Sequence, residues 1–113
     1  MNTQTSRRTK MTPLFAALGD PVRLAMVDRL CRDGPLPTIR FKQDTPVSRQ
    51  AVTKHLRMLE DAGLVQSQRV GRDRLWQIEK RQLTEVRRYL DQIAAQWDAT
   101  LERLRRFVED EHI

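Results

Sequence analysis

The chain has 113 residues, with 21 Lys and Arg against 15 Asp and Glu, a formal net charge of +6. That length favours one compact domain that gains stability by associating, and the positive balance favours an anionic partner, nucleic acid first. No apolar run approaches the ~20 residues of a membrane span, and the single cysteine, Cys31, excludes an intrachain disulfide and suits a reducing compartment. With a polar opening "MNTQTSRRTK" in place of a signal peptide, a cytoplasmic protein is expected.

Residues 1–11, with Arg7, Arg8 and Lys10, read as a flexible basic arm. Residues 12–18 predict a short helix, with Thr12 as N-cap, Pro13 in its first turn and Gly19 as its stop. Asp20-Pro21 starts a second helix, an acidic cap followed by proline at the first helical position. This helix runs to about Arg32, with Val22, Ala25, Met26 and Leu30 on one side, and Gly34-Pro35 ends it. Cys31 near its end is expected to be a partly buried structural thiol. In residues 36–46 a short helix near 38–43 competes with an extended piece, because Ile39 and Phe41 alternate.

The stretch "VSRQAVTKHLRMLEDAGLV" predicts a short amphipathic helix capped by Ser48, stapled by Val47 onto Val52 and stopped by Gly63. At about 100° per residue, Val52, Leu56 and Leu59 make one narrow apolar stripe. Ala51, His55 and Ala62 flank it, and His55 is expected to be a packed, hydrogen-bonded histidine. Arg49, Gln50, Thr53, Lys54 and Arg57 fall on the opposite side. Long donors on the first turns of a short helix are what reading base edges in a major groove requires: Arg for guanine, Gln for adenine, Thr and Lys for phosphates or methyl groups. Glu60 and Asp61 fall at the far end, away from an approaching duplex.

"LVQSQRVGRDRLWQI" then predicts two strands, about 64–70 and 74–78, joined by a tight turn at "GRD". This basic hairpin is a wing whose tip presents Arg69, Arg72 and Arg74 to phosphates or a minor groove. Trp76 is expected in hairpin packing. A pocket lined by Trp76 and Trp97, between wing, core and final helix, is the place considered for a small-molecule inducer.

Residues 81–113 hold a long helix. Leu83, Val86, Leu90, Ile93, Trp97, Leu101, Leu104 and Val108 recur at steps of three and four, a seam of roughly 45 Å at 1.5 Å per residue. A body of about 80 residues is too small to cover that length, so the excess is expected to pair with a second copy. The candidate interface is Leu14 and Phe15 with Leu90, Ile93, Trp97, Leu101 and Leu104.

The predicted order is that of a winged helix-turn-helix protein: mainly α with a small β-hairpin, residues 12–80 as the DNA-binding domain and 81–113 as a dimerisation helix. "LFAALGDPVRLAMVDRL", with its "LxDPxR" phrase, "SRQAVTKHLRMLEDAGLV" and "RVGRDRLWQI" resemble the ArsR-type transcriptional regulators over roughly residues 12–80. The resemblance implies a homodimer that binds an inverted-repeat operator on double-stranded DNA and represses its own or neighbouring genes until a signal releases it. It places Ser48, Arg49, Gln50, Thr53, Lys54 and Arg57 on DNA, and Arg69, Arg72 and Arg74 at backbone or minor groove.

Metal-sensing members carry a Cys-x-Cys phrase before the recognition helix, or His and acidic ligands on the last helix. Here "PTIRFKQDT" has neither Cys nor His, and "FVEDEHI" has one His112, so no metal and no cofactor is expected. With two histidines, no Gly-rich phosphate loop and no Ser-His-Asp arrangement, the chain is read as a non-enzyme. Two alternatives stand beside the repressor: a winged-helix protein-interaction module, and a metal- or redox-sensing repressor.

Overall fold

A computed structural model describes residues 3–111. The elements in chain order are α1 (Thr3–Leu18), α2 (Pro21–Asp33), β1 (Leu36–Pro37), α3 (Thr38–Asp44), α4 (Arg49–Asp61), β2 (Val65–Val70), β3 (Asp73–Ile78) and α5 (Lys80–Glu111). The fold is mainly α with a small antiparallel sheet and a long last helix, as expected. The chain divides into one compact unit through Leu83 and a second from Thr84 onward.

α1 corrects the reading of residues 3–11 as a flexible arm. The helix is continuous from Thr3, and Pro13 lies inside it. Thr12 is therefore an interior residue and not a cap; its hydroxyl donates to the Arg8 carbonyl at 2.7 Å. Met11, Leu14 and Ala17 are buried at steps of three, and this packing holds the helix despite the backbone donor that Pro13 lacks. Pro13 itself is exposed, where water can supply a donor to the carbonyl one turn back.

α2 starts as read. The Asp20 carboxylate accepts from the backbone N–H of Val22 at 2.9 Å and of Arg23 at 3.0 Å, and Pro21 fills the first helical position. Its buried side is Met26, Val27 and Leu30; Ala25, expected inward, is exposed, and Val22 is half-buried. Cys31 is also exposed, not partly buried. Residues 36–44 resolve the competition between helix and extended chain by holding both, a two-residue strand and then α3. Phe41 points into the core while Ile39 stays exposed.

β1 is the strand that a two-stranded hairpin reading lacks. The sheet order is β1-β3-β2, with Leu36 opposite Trp76 and Val65 opposite Ile78. Gly71 and Arg72 form the two-residue turn. Gly71 at φ +63° with no left-handed residue following is the type II′ pattern that matches strand twist. The core of this unit is Phe41, Val52, Leu56, Leu59, Leu64 and Trp76, all essentially without solvent contact. Burying one such side chain stabilises by about 1.5–3 kcal/mol.

α5, described by itself from Thr84, carries a row of apolar side chains in water. Leu90, Ile93, Trp97, Leu101 and Leu104 are between 44% and 61% exposed. Elsewhere on the helix run ion pairs one turn apart: Arg88–Glu85, Arg105–Glu102, Arg105–Glu109 and Arg106–Glu102.

Candidate nucleic-acid interface

The surface is built around α4. Ser48 accepts from the Ala51 N–H at 3.1 Å, fixing the start of the helix, and its hydroxyl hydrogen remains to donate. The far end is a Schellman closure: the Gly63 N–H donates to Glu60 and the Leu64 N–H to Leu59, at 2.9 and 3.0 Å. Gly63 at φ +84° makes that closure possible, and a Cβ there would lie 3.2 Å from Gln82 Nε2. Between these ends Val52, Leu56 and Leu59 anchor the helix, as the stripe predicted.

The outward side carries the polar row. Ser48, Arg49, Gln50 and Lys54 are exposed and Thr53 is half-buried. Arg57 is exposed but engaged. Its Nη1 donates to Glu60 Oε1 at 2.8 Å, and its guanidinium lies 5.5 Å from the centroid of the Trp76 ring. At the hairpin, Arg69 and Arg72 stand exposed near the turn.

Arg74 does not join them at the tip. Its Nε and Nη2 donate to Ser67 Oγ at 3.1 and 3.0 Å, and Ser67 in turn donates to Glu60 Oε2. The sheet explains the difference. Arg74 is two residues before the fully buried Trp76, so the two share a face, and that face turns toward α4. Glu60, expected to lie away from an approaching duplex, is thus the hub between α4 and the β2–β3 hairpin. Burial opposes its ionisation, but the hydrogen bonds from Ser67 and Arg57 and the charges of Arg57 and Arg74 outweigh that and hold its carboxyl below the ordinary value.

A second tie joins the wing to α3. The buried Trp76 Nε1 donates to Thr38 Oγ1 at 2.9 Å. Asp73 accepts from the Arg74 N–H at 2.7 Å and from the Ile39 N–H at 3.4 Å. Burial works against the Asp73 charge, and these hydrogen bonds, one from Thr38 and the nearby charge of Arg49 still lower its pKa. A third tie joins α2 to α4. Arg23 donates from Nε to the Ala17 carbonyl at 2.7 Å, and its Nη1 meets His55 Nδ1 at 3.3 Å. Asp20 Oδ2 lies 3.9 Å from the same ring nitrogen. This gives the "LxDPxR" phrase a physical meaning: the aspartate caps α2, the proline opens it, and the arginine closes α1 while holding His55. Hydrogen bonding from the Arg23 backbone is the main cause of a lowered Asp20 pKa.

The candidate interface residues divide. Phe15 is half-buried, but Leu14 is 3% exposed, so it already belongs to its own chain's core and is unavailable to a partner. Trp76 is fully buried. A cleft of about 450 Å³ is lined by Leu30, Cys31, Pro35, Gln77, Ile78 and Leu83. Among the described residues no three His, Cys, Asp or Glu side chains are grouped to hold a metal ion, and His112 lies outside them. Among the described residues no helix is long and apolar enough to cross a membrane.

Comparison with known proteins agrees with this geometry. A family model described as a helix-turn-helix domain matches residues 18–68. The HTH-type transcriptional regulator Rv2034 of Mycobacterium tuberculosis is 40% identical over 77 residues, 68% of this chain and 71% of that protein. Among solved structures, an ArsR-like transcriptional regulator from Rhodococcus sp. RHA1 superposes with a TM-score of 0.74 at 33% identity, covering 88% of this chain and 93% of that one. This chain belongs to the ArsR family of winged helix-turn-helix transcriptional regulators. As an ArsR-family regulator it carries a helix-turn-helix DNA-binding domain, and the matched residues 18–68 run from the end of α1 through α4 into β2.

Proposed function

We propose that this ArsR-family protein is a cytoplasmic, homodimeric, sequence-specific repressor of its own or neighbouring genes, released by a signal that acts on the dimer. The observation that carries this reading is the row Ser48, Arg49, Gln50, Thr53 and Lys54, held outward on a helix whose opposite stripe is fully buried. Arg49 and Gln50 take base edges in the major groove, Thr53 and Lys54 take phosphates or methyl groups, and Arg69 and Arg72 take the flanking backbone. Arg57 and Arg74 contribute charge beside that row while bonded to Glu60 and Ser67.

The dimer is supported by the exposed seam of Leu90, Ile93, Trp97, Leu101 and Leu104, spaced by three and four as in paired helices. Two copies bring two recognition helices to half-sites about one helical turn apart, hence an inverted-repeat operator. The test is fluorescence anisotropy against the native upstream fragment and a scrambled duplex of equal length, at near-physiological salt, with sedimentation of the free protein alongside. Preference for the native fragment by a dimer supports the reading. Equal, weak binding to both duplexes overturns it.

A further inference from the structure

We infer that Glu60 is a specificity-determining residue of this DNA-binding surface, one that withholds Arg57 and Arg74 from indiscriminate phosphate contact and fixes the wing on the recognition helix. The inference rests on the proposed reading of α4 and the wing as the DNA surface. Each oxygen of the carboxylate has its own partner: Oε1 takes Arg57 Nη1, and Oε2 takes the Ser67 hydroxyl. Ser67 then has nothing left to give. A hydroxyl has one hydrogen and two lone pairs; the hydrogen goes to Glu60, and the lone pairs take Nε and Nη2 of Arg74. The chain of donors therefore runs one way only, from Arg74 through Ser67 to Glu60, and from Arg57 to Glu60.

Two consequences follow for DNA. The first concerns charge. Two guanidinium groups and one carboxylate present one net positive charge where two would otherwise stand. Affinity for random duplex depends on how many phosphates are neutralised, so Glu60 suppresses the sequence-independent component. The second concerns geometry. Arg57 belongs to α4, Ser67 to β2 and Arg74 to β3, so Glu60 sets where the wing stands relative to the helix. Only an operator with the matching spacing between groove and flanking phosphates rewards that fixed position. The low Glu60 pKa keeps the carboxylate charged at neutral pH, so both effects are constitutive.

The test compares Glu60→Gln with Asp61→Asn in the full chain. Asp61 is the exposed neighbour of Glu60, so its substitution removes the same charge without touching the network. Each variant is titrated against the native upstream fragment and the scrambled duplex between about 50 and 200 mM salt. For Glu60→Gln, scrambled DNA should bind more tightly, with a salt slope steeper by about 0.9, which is roughly a 3.5-fold greater loss across that range. Preference for the native fragment should fall. Asp61→Asn should leave the preference near wild type. Ser67→Ala, which frees Arg74 without changing formal charge, should lower the preference by a smaller factor, and it carries the test should Glu60→Gln fold poorly. Identical slopes and preferences for Glu60→Gln and Asp61→Asn, or a wild-type preference in Ser67→Ala, would overturn the inference. A wild-type protein that itself fails to prefer the native fragment would remove the underlying DNA reading, a distinct and separately visible failure.

Discussion

α4 and α5 are both amphipathic helices with apolar residues at steps of three and four, yet their stripes have opposite fates. Val52, Leu56 and Leu59 of α4 are fully buried within their own unit. Leu90, Ile93, Trp97, Leu101 and Leu104 of α5 stand about half in water. The same patterning thus has two outcomes: in α4 it attaches the helix to its scaffold, while in α5 it leaves an apolar row in water, the surface that the proposed dimer would bury. An exposed row of this extent is unusual for a lone chain, and covering it is the task of the proposed homodimer.

That contrast can be broken most forcefully at Leu56. Leu56→Ala should destabilise the folded chain by about 2–5 kcal/mol, because it opens a cavity in a closed core; denaturant unfolding would measure it. Trp97→Ala should behave oppositely. Dimer affinity should weaken by about 2 kcal/mol or more, as expected of a central aromatic anchor, while α2–β3 packing stays intact. Sedimentation equilibrium and circular dichroism together check both halves, and an unchanged dimer constant would erase the distinction between the two helices.

On the polar side of α4, Gln50→Ala should relax base preference by about 1–3 kcal/mol, the worth of one bidentate pairing with a base edge. Arg72→Ala in the turn should instead weaken native and scrambled duplexes alike and flatten the salt slope by about 0.9. Parallel anisotropy titrations separate the two, and equal effects on both duplexes from both variants would deny any division between helix and wing. Ser48→Ala should cost about 1 kcal/mol of stability through removal of the cap, read by thermal unfolding.

The smallest expected effect is that of acid. Asp20, Glu60 and Asp73 all have lowered pKa values in the folded chain. Each therefore contributes stability that is fully present above the ordinary carboxylate pKa and is lost as pH falls through the lowered folded value. Unfolding midpoints should be flat near neutrality and decline below about pH 4. Replacing Glu60 by Gln should make that decline shallower, and an unaltered acid limb would show that its partners do not hold it charged.

What can be read from residues alone is unevenly spread. The ends of α4 are legible because capping is local: Ser48 serves the N–H of Ala51, and Gly63 closes the turn behind it. The hairpin is legible for the same reason, since Gly71 and the alternating strands lie within a few residues of one another. The third strand is not, because Leu36 and Trp76 are distant in sequence and Leu36-Pro37 is too short to show a period. The start of α1 is hidden because Pro13 looks like a helix opening, whereas the burial of Met11, Leu14 and Ala17 outweighs the one donor it lacks.

The sequence by itself determined helix α4, its polar face and the long apolar seam, since periodicity and caps act over one or two turns. Tertiary structure alone decided that Glu60 sits between two arginines, that Arg74 turns inward, and that Leu14 is spent on its own core. The physical reason is that a charge's partner depends on which elements meet, and Arg57, Ser67 and Arg74 come together only when β2 and β3 close on α4.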